Sequence, residues 1–100
     1  MAVLKWRPQA LKDLDAIEAY YLDTSPSYAP VFVAGVFERV QVLEQMPEVG
    51  PLVPEIQDPA IRELLYRGYR VIYLFDKEDE VVEVLTIVHS SRSFGGPTGQ

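Results

Sequence analysis

Apolar residues in the first half of the chain recur at spacings of three and four, which is the period of an amphipathic helix. The first such stripe follows Pro8, a residue suited to the first turn of a helix, and we predict that this helix ends near Asp23. Its members are Leu11, Leu14, Ile17 and Tyr21.

A second stripe follows after only a few residues. We predict Ser25 as its N-cap and Pro26 as its first helical residue, with Met46-Pro47 ending the helix. The stripe consists of Ala29, Val33, Val36, Val40 and Leu43. The short connection predicts that the two helices form an antiparallel hairpin.

The second half of the chain is typical of strands, because β-branched and aromatic residues dominate residues 62–75 and 80–89. Gly68 divides the first of these runs into two strands, and the acidic turn 76–79 precedes the third. A short apolar run, 2–6, predicts one more strand, whose place at the edge or centre of the sheet stays open. Between helices and strands, residues 47–59 contain four prolines and predict an ordered crossing without regular structure.

This order predicts an α+β fold: an N-terminal strand, then an antiparallel two-helix hairpin packed on one face of an antiparallel sheet that ends in a three-stranded meander. A length of 100 residues suits one domain. We expect the domain to span residues 1–95 and the Gly/Pro-containing tail 96–100 to be frayed.

Composition narrows the function classes. The chain has no cysteine and one histidine, so we expect no disulfide, no metal site and no cofactor. The formal net charge of −6 argues against nonspecific nucleic-acid binding. There is no apolar run of about 20 residues and no signal-peptide pattern, which predicts a cytoplasmic protein without a membrane span.

Charge is unevenly placed, however, since several arginines lie in the strand-rich half. A local basic face of this kind suits a protein partner at least as well as RNA. Tyr and Arg are also enriched at binding hot spots. The candidate binding residues are Arg62, Arg67, Arg70, Arg92 and Phe94.

A metal-independent ribonuclease could be assembled from the same half of the chain. Glu55 would be the base, His89 the acid, and Arg70 with Arg62 would hold the phosphate. Phe94 would stack on a base. The structural alternative is that Glu55 and the arginines form ion pairs with nearby acids and that His89 simply ends a strand.

Several short motifs occur together in a characteristic order. They are Trp6-x-Pro8-x-Ala10-x-x-Asp13-Leu14-x-x-Ile17, Pro47-x-x-Gly50, Pro54-Glu55, Arg62-Glu63-Leu64, Tyr69-Arg70-Val71-Ile72-Tyr73 and Val88-His89-x-x-Arg92. With these motifs the chain resembles the ParE branch of the ParE/RelE superfamily, the toxins of type II toxin–antitoxin (plasmid stabilisation) modules. The resemblance implies a helical hairpin on an antiparallel sheet, in agreement with the fold predicted above.

For function, the resemblance implies a growth-arresting toxin that binds and inhibits DNA gyrase, neutralised by a cognate antitoxin in a hetero-oligomer. Two alternatives remain: a RelE-like ribosome-dependent mRNA endoribonuclease, and a non-toxic antitoxin-binding module. Arg70 matches the strand arginine of the ribonucleases, and Glu55 matches a position where some carry a base. The lysine-rich strand and C-terminal tyrosine of that group are missing, and His89 need not be catalytic in ParE-like chains. We therefore expect a binding inhibitor rather than an enzyme.

Overall fold

The computed structural model describes residues 1–94, and the predicted frayed tail 96–100 lies outside this part. Its elements follow the predicted order. They are β1 (Val3–Trp6), α1 (Pro8–Thr24), α2 (Ala29–Gln41) with a 3-10 turn (Val42–Glu44), β2 (Ile61–Tyr66), β3 (Tyr69–Asp76) and β4 (Val81–His89). The α+β prediction is confirmed.

The four strands form one sheet in the order β1-β4-β3-β2. Strands β2, β3 and β4 make the predicted antiparallel meander. Strand β1 lies at the edge, which answers the question that the sequence left open, and it pairs parallel to β4 with Val3 opposite Val81. The sheet is therefore mixed, whereas the sequence predicted an antiparallel one. Directly after β1, the Arg7 guanidinium donates to Glu83 of β4 over 2.9 Å, 76 residues further along the chain.

The start of α2 differs from the prediction. Ser25 is not its N-cap, because the Ser25 N–H donates to the Tyr21 carbonyl over 2.7 Å and closes the end of α1. A turn follows, and α2 begins only at Ala29 with Pro30 in its first turn. The Tyr21 carbonyl, near the end of α1, thus accepts its hydrogen bond from the Ser25 N–H.

Each sheet face carries its own apolar cluster. The larger one lies under the helices and is centred on Phe32, Val36, Leu64, Val71 and Tyr73. The smaller one lies on the opposite face and consists of Val53, Ile61, Ile72, Leu85 and Phe94. The face opposite the helices is therefore partly covered, by the proline-rich segment and by the chain that follows β4. In this segment Val53 is fully buried, while Val49 and Leu52 are exposed.

Asp13 of α1 completes the pairing of β4 beyond the end of β1. Its carboxylate accepts hydrogen bonds from the Ile87 N–H over 3.0 Å and from the Thr86 hydroxyl. Strand β1 pairs only with residues 81–84, so the edge of β4 is open from residue 85 onward. A carboxylate on a helix here replaces the missing strand partner of a buried donor.

Candidate functional site

Arg70 lies on the sheet face opposite the helices, next to the smaller apolar cluster. It pairs with Leu65 of β2 on one side and with Val88 of β4 on the other. The residue is only 7% exposed. A guanidinium this deeply buried must be paired, because desolvating an isolated charge is costly.

Two carboxylates supply that pairing. The Arg70 Nε donates to Glu63 Oε1 over 2.7 Å. The two terminal nitrogens donate to the two oxygens of Glu55 over 2.8 and 2.7 Å, which is the bidentate geometry of strong arginine–carboxylate pairs. A fourth bond runs from Nη1 to the Arg92 carbonyl over 2.9 Å. We call these three side chains, Glu55, Glu63 and Arg70, the ion-pair triad.

The triad fastens the chain after β4 to the sheet. Glu55 accepts a hydrogen bond from the Phe94 N–H over 2.9 Å, while the Phe94 ring is buried in the smaller apolar cluster. Hydrogen bonds from Arg70 and then from the Phe94 N–H hold the pKa of Glu55 far below its usual range. The same bond with Glu55 raises the pKa of Arg70. Both groups therefore keep their charges throughout the physiological range.

A lowered pKa in the folded state makes stability depend on pH in a defined direction. The contribution of Glu55 is complete above the pKa of an unfolded glutamate, about 4.3, and is lost as the pH falls from there towards the depressed folded pKa. We expect Glu55→Gln to be less stable than wild type at pH 7, and the difference to shrink below pH ~4.3. Denaturant unfolding at a series of pH values measures this.

The matched control is Glu38→Gln, which changes an exposed glutamate on α2. It should keep the wild-type pH dependence at acid pH. A stability difference between wild type and Glu55→Gln that stays constant from pH 7 to pH 3 would contradict the assignment.

Arg62 is held by main-chain oxygens. Its Nη1 donates to the Gly50 carbonyl over 2.8 Å and to the Glu48 carbonyl over 3.3 Å. Its Nε is buried and has no hydrogen-bond partner among the described residues. Arg62 thus stabilises residues 48–50 through hydrogen bonds to their main-chain carbonyl groups.

His89, the candidate acid, lies apart from the triad. Its Nδ1 accepts a hydrogen bond from the Ser91 N–H over 3.1 Å, and the Ser91 hydroxyl lies 2.7 Å away. Its ring packs edge-on against Tyr69 at 5.3 Å. It makes no hydrogen bond with Glu55 or Arg70 in residues 1–94.

The structure therefore brings Glu55, Arg70 and the 92–94 segment together, and separates them from His89, Arg62 and Arg67. Phe94 is buried rather than available for stacking on a base. Arg67 and the Arg92 side chain remain exposed.

Tyr73 and Gly50 carry a structural role that the sequence did not reveal. The buried Tyr73 hydroxyl donates to the Pro47 carbonyl over 2.8 Å and accepts from the Gly50 N–H over 3.1 Å. A Cβ at Gly50 would lie 2.3 Å from the Glu63 carbonyl oxygen. The usable signal was a tyrosine on the core face of a central strand, whose hydroxyl must find a partner when buried.

Other site classes have no support in the described part of the chain. Residues 1–94 contain no group of three or more histidine, aspartate or glutamate side chains that could hold a metal ion. Within the same range, no helix is both long and apolar enough to cross a membrane.

Two helices packed on a four-stranded mixed sheet match the RelE/ParE toxin fold. The chain matches the family described as the ParE toxin of the type II toxin–antitoxin system parDE over residues 4–94. It therefore belongs to the ParE toxin family.

Solved structures share this fold. A chain of the chromosomal ParDE system from P. aeruginosa is 29% identical with a TM-score of 0.74, and the match covers 89% of this chain and 96% of that one. The intact E. coli RelBE complex gives 18% identity, TM-score 0.66 and coverage of 92% and 100%. The RelBE2 complex from Mycobacterium tuberculosis gives 19% identity and a TM-score of 0.62, and the match covers 88% of this chain and 96% of that one. No curated protein matches the chain.

Proposed function

We propose that this ParE-type toxin acts by binding and inhibiting DNA gyrase, and that a cognate antitoxin neutralises it by binding the folded toxin. The observation that carries the proposal is the closed ion-pair triad. Four donor bonds of Arg70 end on protein oxygens, and two carboxylates surround one guanidinium. An arginine in this state has few free N–H groups with which to bind a phosphate.

The state of Glu55 also disfavours RNA cleavage. A general base works best when its pKa lies near the operating pH. Glu55 has a strongly depressed pKa and accepts bonds from Arg70 and from the Phe94 main chain, so it is a weak proton acceptor. His89 forms its hydrogen bonds with Ser91 and not with Glu55 or Arg70, which also disfavours this catalytic set.

Similarity supports the same conclusion. The family match is to ParE toxins, and the ParDE neighbour shares more identity with this chain than the RelBE neighbours reported above do. Those neighbours were solved as toxin–antitoxin systems or complexes, which supports an antitoxin as the physiological partner of this chain. We expect the complex to be cytoplasmic.

The test is a plasmid supercoiling assay with purified gyrase and the purified chain, run beside an mRNA cleavage assay on translating ribosomes. We expect supercoiling to stop, with accumulation of gyrase-cleaved linear DNA, and the mRNA to stay intact. In cells, DNA synthesis should fall before protein synthesis in the minutes after induction. Intact supercoiling combined with cut mRNA would overturn the proposal in favour of the ribonuclease.

A further inference from the structure

We infer that the surface formed by Tyr28, Arg39, Leu65, Tyr66 and Arg67, here called the α2–β2 surface, contacts an acidic protein segment of the toxin's target. This inference rests on the proposed function, because the target is taken to be gyrase. It goes beyond that function by naming the contacting residues and the chemistry that they recognise.

The surface is built where α2 runs beside the edge strand β2. Phe32 packs against the rings of Tyr66 and Tyr69, each at 5.4 Å. One turn further along α2, Gly35 lies so close to Tyr66 that a Cβ there would meet its hydroxyl at 1.7 Å. One more turn on, the Arg39 Nε donates to the Leu65 carbonyl over 3.4 Å. The aromatic side chains are thus packed against α2 in the free toxin.

Arg67 is held in place by the turn between β2 and β3. Arg67 adopts φ 45° and Gly68 adopts φ 85°, and a two-residue type I′ hairpin requires this pair of left-handed residues. Its guanidinium then lies 5.6 Å from the ring centre of Tyr66 and 5.9 Å from that of Tyr28. Cation–π contacts of this kind orient the arginine, whose side chain remains exposed.

The charges of this surface are unmatched within residues 1–94. Neither Arg39 nor Arg67 forms an ion pair there, although Arg7, Arg62 and Arg70 all do. The protein as a whole has 15 acidic and 9 basic residues. A surface that carries two arginines without carboxylate partners therefore has the opposite charge to the chain as a whole. Their natural complement is a carboxylate-bearing partner.

Apolar area adjoins these arginines. Leu65 is 61% exposed, and Val31 of α2 is 55% exposed. Rigid aromatic anchors, arginines and exposed apolar groups together have the composition of an interface core. Two guanidinium groups on a chain of net charge −6 are too few for binding along a nucleic-acid backbone, which favours a protein segment.

The test compares Arg39→Glu/Arg67→Glu with the control Lys12→Glu, which reverses an exposed charge on α1. Both variants should keep the wild-type melting temperature. We expect the double variant to need at least about tenfold more protein to inhibit supercoiling, and to lose the salt dependence of binding to purified gyrase without DNA. The control should behave as wild type.

Four outcomes would overturn the inference. Unchanged inhibition by the double variant would place the gyrase contact elsewhere and leave the proposed function standing. Equal loss in Lys12→Glu would reveal an effect of net charge only. If wild-type protein neither binds gyrase nor inhibits it, the proposed function fails, and the inference fails with it. A binding loss seen only with a DNA duplex, and not with gyrase alone, would assign the surface to nucleic acid.

Discussion

Arg70→Met should lower the free energy of unfolding by about 3–5 kcal/mol, the cost of removing one partner from a buried ion pair. The substitution leaves Glu55 and Glu63 facing each other across an apolar site without the cation that compensates them. A small domain has only about 5–15 kcal/mol of net stability, so the loss is severe. Equilibrium denaturant unfolding at pH 7 measures it.

The cause can be separated from the loss of arginine packing. In the triple variant Arg70→Met/Glu55→Gln/Glu63→Gln both stranded charges are gone, and replacing a complete buried pair is often nearly neutral. We expect the triple variant to recover a large part of the lost stability. The control Arg92→Met changes an exposed side chain and should stay within about 0.5 kcal/mol of wild type. A triple variant no more stable than Arg70→Met would refute the charge argument.

Gly50→Ala should cost about 3 kcal/mol, the upper range for forcing an atom into a packed site. The new Cβ would lie 2.3 Å from the Glu63 carbonyl oxygen and 2.8 Å from the Tyr73 hydroxyl. The carbonyl belongs to the main chain of β2, which the sheet holds in register, so the segment around residue 50 must move away instead. For a domain of this size we expect a fall in melting temperature of about 4–8 °C per kcal/mol.

Two comparisons sharpen this prediction. Gly35→Ala meets the far end of the half-buried Tyr66 side chain, which can rotate away, so it should cost less than Gly50→Ala. Adding Tyr73→Phe to Gly50→Ala removes the hydroxyl but not the carbonyl, so it should not restore stability. Rescue by Tyr73→Phe would show that the hydroxyl, and not the β2 main chain, requires glycine at this position.

The elements of the fold were predictable because their signals are local. The stripe from Leu11 to Tyr21 and the β-branched and aromatic runs divided by Gly68 each depend on neighbours in sequence. The partner of β1 was not predictable, since four residues of strand pattern do not encode which strand they join. The prediction of Ser25 as an N-cap was wrong because the same residue types suit a helix end and a helix start. In the structure its N–H donates to the Tyr21 carbonyl at the end of α1.

The candidate site was predictable as a set of residues but not as an arrangement. The sequence identified Glu55 and Arg70, and it left open whether they serve chemistry or an ion pair. Deciding this required the position of the proline-rich segment, which brings Glu55 across the sheet to Arg70. That position depends on the burial of Val53 and on the bonds at Tyr73, contacts between parts of the chain that are distant in sequence.

The edge position of β1 has a consequence for how the molecule assembles. The β2–β3 hairpin and the α1–α2 hairpin each join neighbours in sequence, so each can form early. Strand β1 must wait for β4, as the Arg7–Glu83 bond over 76 residues illustrates. Closing a loop of that length costs entropy before any strand bond repays it. We therefore expect a nascent chain to expose apolar surface of its incomplete sheet until β4 has been synthesised.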